Sequence, residues 1–401
     1  MPVNIDELLK ATVALKGSDL HLKVGSHPIV RVHGHLTYLE QYPKLTPEDA
    51  VAMAVGMMSP VQKAKFKEKF EVDLAYSASG LGRFRANLFQ QRGSIRMVFR
   101  AVPTNVASIS ELFLPPSIEK IANETRGLIL VTGTTGSGKS TTLAAMIDYI
   151  NRNRTDNIIT IEDPIEVLHR DRKSIVSQRE IGTDAESFGS ALRGALRQDP
   201  DVILVGEMRD FETISTALTA AETGHLVLST LHTVDASETI NRILSIFPPY
   251  QQKQLRLQLA SILKGIVSQR LVPRADGQGR VPAVEVMIAT QTIKECIIDA
   301  DKSRRIPEFI ASGGMQYGMQ TFDQSLYSLL QQKLITFEEA LRWSSNPDDF
   351  TLKVKGIQST SDSNWEQIGK NAGGAPMNGA AKTAAKPAPG EEFKIDKFGS
   401  Q

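Results

Sequence analysis

The run Gly133-Thr134-Thr135-Gly136-Ser137-Gly138-Lys139-Ser140 fits the pattern G-x-x-x-x-G-K-[ST] without a gap. Its glycines allow positive φ and close approach, so backbone N–H groups can wrap around an anion. Lys139 is placed to reach the β- and γ-phosphates of a nucleotide, and the Ser140 hydroxyl to ligate Mg²⁺. Thr141 follows directly and completes the expected phosphate-contacting set. The implied chemistry is nucleoside triphosphate binding. Hydrolysis asks for more: a metal partner and a group that orients water. Three downstream segments offer such groups. Glu162-Asp163-Pro164-Ile165-Glu166 holds three carboxylates, Gly206-Glu207 supplies another, and Thr230-Leu231-His232-Thr233 adds hydroxyls and an imidazole.

These groups need elements to hold them. Residues 127–132 form a short apolar, β-rich run before the phosphate loop, as expected for a buried parallel strand. Beyond the loop, Leu143, Met146, Ile147 and Ile150 recur at helical spacing. Residues 158–161, 202–205 and 226–229 read as further strands, with a helix over 211–222. Each of these strands is followed immediately by one of the polar segments. That is the edge where open α/β sheets place their ligands.

The 401 residues suffice for two or three domains. Residues 1–102 read as a small α+β domain. It has strands around a turn at Gly34, helices over 46–70 broken at Ser59-Pro60, and a hairpin flanking Arg92-Gly93. In the second hairpin strand Ile95, Met97 and Phe99 share one face, and Arg96 and Arg100 the other. Residues 103–117 form a proline-marked linker, and residues 118–355 alternate strands with helices, which predicts a parallel sheet covered by helices. Residues 356–401 lack the composition for a core and are expected to be disordered, apart from a small apolar island at Phe393, Ile395 and Phe398.

With 46 basic and 45 acidic residues, net charge is +1, which gives no global electrostatic case for nucleic acid. Only 6% of residues are aromatic, which argues against a stacking channel for a single strand. No nucleic-acid partner is therefore expected. Cys296 is the single cysteine, so no intramolecular disulfide and no multi-cysteine zinc site can form. It reads as a small buried side chain. No run is apolar enough to span a membrane, and the N-terminus does not resemble a secretory signal, so a cytoplasmic protein is expected.

The phosphate loop, the 162–166 acidic box, Gly206-Glu207 and the segment from Thr223-Gly224-His225 to His232 together resemble the secretion-ATPase superfamily. Within it, Gly17-Ser18-Asp19-Leu20-His21, Arg83-Phe84-Arg85, Gln91-Arg92-Gly93 and Arg197-Gln198-Asp199-Pro200-Asp201 resemble the type IV pilus retraction ATPases. The resemblance covers roughly residues 3–350. It implies an α/β chain: a RecA-like P-loop ATPase domain behind a PAS-like N-terminal domain, assembled as a homo-hexamer at the base of a pilus. It also implies ATP and Mg²⁺ as cofactors, and an inner-membrane platform protein and a paralogous retraction ATPase as partners. The expected location is the cytoplasmic face of the inner membrane.

Position by position, the resemblance implies that Glu166 activates the attacking water and that Glu207 acts on the Mg²⁺ shell. His232 and His225 would sense the γ-phosphate or link it to domain movement. Arg83, Arg85 and Arg100 would complete a neighbouring subunit's site, as an arginine finger does. One segment departs from the pattern. Where retraction ATPases carry Ala-Ile-Arg-Asn-Leu-Ile, this chain has Thr292-Ile293-Lys294-Glu295-Cys296-Ile297. The ATPase implication is untouched by the departure, while retraction without help from a paralogue is not implied. An accessory ATPase supporting a paralogous motor is the first alternative, and a RecA-like nucleic-acid translocase the second.

Overall fold

The computed structural model describes residues 4–356. The tail expected to be disordered, with its island at Phe393, Ile395 and Phe398, lies outside them apart from Gly356.

The first six strands form one antiparallel sheet. They are β1 (Asp19–Lys23), β2 (Ile29–Val32), β3 (His35–Tyr38), β4 (Glu71–Ala78), β5 (Gly82–Gln91) and β6 (Ser94–Ala101), in the order β3-β2-β1-β6-β5-β4. The helical stretch over 46–70 is broken as the sequence predicts, and the reason is local. Thr46 with Asp49, and Ser59 with Gln62, each close a capping box, and Pro47 and Pro60 open the two helices Pro47–Met57 and Pro60–Lys69. One face of the sheet packs Leu20, Leu22, Leu88, Met97 and Phe99 into a core with the helices. The other face carries the arginines.

On that second face Arg85 stands directly opposite Arg100 in the β5–β6 register. Like charges in that position repel, and each finds a carboxylate elsewhere. Arg100 Nε pairs with Asp19 at 2.9 Å, and Arg85 Nη2 pairs with Glu166 at 2.9 Å.

The remaining strands are β7 (Gly127–Thr132), β8 (Asn157–Glu162), β9 (Ile175–Glu180), β10 (Val202–Val205), β11 (Leu226–Leu231), β12 (Leu263–Pro273) and β13 (Arg280–Ile288). They build a second sheet in the order β13-β12-β7-β11-β10-β8-β9, parallel throughout except for β13 at one edge. Every residue of β7, β10 and β11 is buried, which explains why these strands read as unbroken apolar runs. Alternate residues face two layers. Leu128, Leu130, Ile159 and Ile203 meet the helices Phe211–Glu222 and Pro249–Ile262, while Ile129, Val131, Val202 and Leu228 meet the helix Lys139–Asn153. Three C-terminal helices pack Phe322, Leu326 and Phe350 against β12 and β13.

The departing segment lies in the helix Gln291–Ile298. Ile293 and Ile297, the positions it shares with the family pattern, are fully buried, and Cys296 lies beside them at 3% exposure. Thr292 and Glu295, two of its divergent positions, face solvent. The shared isoleucines are therefore core residues, and part of the divergence lies on a surface.

Candidate active site

Strand register brings the four polar segments to one edge. Leu231 is level with Thr132, and Val205 is level with both Ile161 and Ser229. The ends of β7, β8, β10 and β11 therefore deliver Gly133, Glu162, Gly206-Glu207 and His232 side by side. They border a cleft of about 600 Å³ lined by Lys139, Ser140, Thr141, Glu166, Glu207 and His232, among others.

The phosphate loop is built as the pattern demands. Gly133, Gly136 and Gly138 all have positive φ, and Gly138 immediately precedes the helix Lys139–Asn153. Gly133 is the most constrained. A Cβ there would lie 2.4 Å from Ser137 Oγ and 2.5 Å from the Gln269 carbonyl oxygen. Gly133→Ala is expected to deform the loop and weaken nucleotide affinity about tenfold or more. Titration with a fluorescent ATP analogue checks this, and unchanged affinity would contradict the geometry. Lys139 Nζ donates to the carbonyls of Gly133 (2.8 Å) and Thr134 (3.0 Å), so the ammonium lies inside the loop's curve. Burial holds it below its ordinary pKa, and the Glu207 charge opposes that shift.

The acidic side is braced from behind. Glu162 Oε1 accepts from Thr160 Oγ1 at 2.7 Å and from Gln178 Nε2 at 3.1 Å, and burial raises its pKa. Gln178 also donates to the Val167 carbonyl and accepts from the His169 backbone N–H, which fixes the chain beyond the acidic box. His169 also lines the cleft, and burial pushes its pKa down to about 4, so the ring is neutral. Glu166 is different: its side chain is 49% exposed and it borders the cleft directly. Glu207 Oε2 pairs with Arg209 at 2.7 Å and lies 3.4 Å from His232 Nε2. Thr230 Oγ1 donates to the Gly206 carbonyl at 2.7 Å, which holds the ends of β10 and β11 together.

Two of the expected arginines reach this edge, and they do so within one chain. Arg85 donates to the Ile165 carbonyl through Nη2 (2.9 Å) and Nε (3.3 Å) besides pairing with Glu166. Arg83 Nη2 pairs with Glu180 at 3.1 Å, and Glu180 in turn accepts from Ile165 N–H. Both guanidiniums thus grip the acidic box from the N-terminal sheet of the same chain. Within the chain they are placed there because β5 lies against the 162–166 turn. Arg100 is not at the cleft: it bonds Asp19 and is largely exposed. His225 is not there either. It precedes β11, at the opposite end from His232, with the six-residue strand of about 20 Å between them. Its Nδ1 bonds the Ala220 carbonyl at 2.9 Å. Within this chain His225 therefore lies away from the cleft and bonds the end of the preceding helix instead.

Sequence reasoning missed Arg209, Gln178 and His169. Arg209 stands two residues past Glu207, a spacing that could have flagged it. Gln178 and His169 carry no such signal, because the tertiary fold sets their contacts with each other and with the acidic box.

Residues 85–344 match the family model described as type II/IV secretion system protein. The chain is 43% identical over 348 residues to the type IV pilus retraction ATPase PilT of Pseudomonas aeruginosa, covering 87% of this chain and all of the relative. It is 42% identical over 361 residues to the type IV pilus ATPase PilU of the same organism, covering 90% and 94% of the two chains. Among solved structures, the pilus retraction motor PilT with bound ADP superposes with a TM-score of 0.79 at 48% identity, over 86% of this chain and 98% of that one. The chain belongs to the type II/IV secretion ATPase family, in its branch of PilT/PilU-like pilus retraction ATPases.

Proposed function

We propose that this chain is the ATP-hydrolysing motor of type IV pilus retraction, working as a homo-hexameric ring on the cytoplasmic face of the inner membrane. One observation carries the reading. Lys139 at the start of its helix and Glu207 and His232 beyond the strand ends share a cleft with Glu166, and Arg85 ties Glu166 to the N-terminal sheet. A change in the catalytic carboxylate is thereby a change at the contact between the two sheets.

The residues divide the work. Gly133 to Gly138 present backbone N–H groups to the phosphates, and Lys139 exchanges its loop carbonyls for β- and γ-phosphate oxygens. Among the described residues no three His, Cys, Asp or Glu side chains converge on a metal position. That fits Mg²⁺, which is bound by one or two protein ligands, phosphate oxygens and water. Ser140 and Glu207 would hold it, and it would neutralise phosphate charge. Glu166 takes a proton from water as the oxygen attacks the γ-phosphorus, and ADP leaves. His232, in contact with Glu207, reports whether the γ-phosphate is present. Arg85 releases Glu166 as the N-terminal sheet moves, a rigid-body switch. An inner-membrane platform protein receives the motion, and a paralogous ATPase is a further partner. Arg100, on the exposed sheet face, is assigned to the neighbouring subunit.

Arg85→Ala tests this coupling. The variant is expected to lose about tenfold or more in kcat in an intact ring, with little change in ATP affinity. Full ATPase activity in that ring would remove Arg85 from the account.

A further inference from the structure

Behind the cleft, on the side away from the acidic box, lies a buried polar chain that the roles above leave unused. Thr132, the last residue of β7 before the phosphate loop, donates through Oγ1 to Ser268 Oγ at 3.0 Å. Ser268 of β12 is the register partner of Glu285 of β13 and donates to its carboxylate. Glu285 Oε1 also accepts from the backbone N–H of Ala236 at 2.9 Å. Ala236 opens the helix Ala236–Ile246, four residues beyond His232. Thr132, Ser268 and Ala236 are fully buried, and Glu285 is 7% exposed.

We propose that Glu285 is a positioning residue of the hydrolytic site: the bonds it accepts hold the entry to the phosphate loop and the His232 loop as one unit. A carboxylate suits this place because it is acceptor-only when ionised. Thr132 then donates to Ser268, and Ser268 and Ala236 both donate to Glu285, so every member points its hydrogen the same way. A protonated Glu285 brings a donor to a place already filled by two donors, so the Ser268 hydroxyl must turn over and the charge-assisted bonds weaken. The charged groups around it are few. Arg270 on β12 favours the ionised form, while Asp235, which caps the same helix, disfavours it. Asp323, on the C-terminal helix Phe322–Gln331, faces Arg270. Arg270 itself lies 3.9 Å over the Phe322 ring and donates to the Trp343 carbonyl at 2.7 Å, so the C-terminal helices hold the positive charge in place.

Burial pushes the Glu285 pKa up to about 7, which makes the relay readable by pH. In the full-length ATPase, kcat is expected to fall on the acid side with a midpoint near that value, by up to about tenfold per pH unit. Glu285→Gln should abolish that acid limb and lower kcat about tenfold at pH 8, with KM nearly unchanged. Ser268→Ala removes a donor that stabilises the ionised carboxylate, so it should move the limb to higher pH. A purely structural role would not produce that shift. An acid limb unchanged from wild type in Glu285→Gln overturns the proposal. If that variant does not fold, an unshifted limb in Ser268→Ala overturns it equally. The link to His232 rests on the role given to that residue above, and a double-mutant cycle separates the two. In a His232→Ala background, Glu285→Gln should cost less than about twofold. Should His232→Ala alone leave turnover intact, the sensor role fails while the pH limb still decides the relay.

Discussion

Lys139→Ala is expected to lower kcat/KM for ATP by about 10² to 10³, the scale seen when one preorganised charge-stabilising donor is removed. The geometry leaves no substitute. Lys139 is 8% exposed, its ammonium is held inside the loop by two carbonyls, and backbone amides alone cannot follow charge onto the γ-phosphate. Two arginines also line the cleft, Arg209 and Arg280, and Arg209 is already paired with Glu207. Steady-state turnover and nucleotide titration on the same preparation check the result. Turnover within threefold of wild type would mean that the loop binds nucleotide in some other way.

Glu166→Gln should lower kcat by about 10² to 10⁴, the usual contribution of a general base, and leave ATP affinity nearly unchanged. Four acidic residues border the cleft, and their surroundings separate them. Glu162 is braced by Thr160, Gln178 and the Glu166 backbone, so its oxygens are occupied in holding the turn. Glu207 pairs with Arg209 and faces His232, which suits the metal shell. Asp163 has no comparable brace among the hydrogen bonds of the turn. Glu166 alone is both open to the cleft and held by the N-terminal sheet through Arg85. Single-turnover hydrolysis with bound ATP separates a chemical defect from a binding defect. A Glu162→Gln variant slower than Glu166→Gln in that assay would reverse the two roles.

The phosphate loop and the strand ends were legible because their chemistry is local. Three glycines, a lysine and a closing serine in one run describe the loop, and apolar strands immediately followed by carboxylates describe the sheet edge. The capping boxes at Thr46 and Ser59 were equally local, and the helical break fell where the prolines put it. Register was not legible. Whether Arg85 meets its own Glu166 or another chain's depends on how the N-terminal sheet lies on the 162–166 turn, which no spacing along the chain encodes. His225 shows the same limit from the other side. The family resemblance gave it the same task as His232, yet a strand of six residues keeps the two at opposite sheet edges. Glu285 was invisible for a related reason. It lies in an apolar β-strand, and its partners Ser268 and Ala236 come from separate elements.

The departure at 292–297 looks smaller in three dimensions than in one. Its two shared isoleucines fill the core, so the helix that carries them is preserved, and Thr292 and Glu295 alter only an exposed surface. Force generation by this chain is therefore tested best in its own setting. Retraction of single pili should be recorded in a piliated strain lacking every paralogue and complemented with either this chain or its Glu166→Gln variant. Retraction by the wild-type chain and none by the variant is the predicted result. Retraction driven by the hydrolysis-deficient variant, or none by a wild-type chain that hydrolyses ATP, would contradict the claim that ATP turnover at this cleft powers retraction.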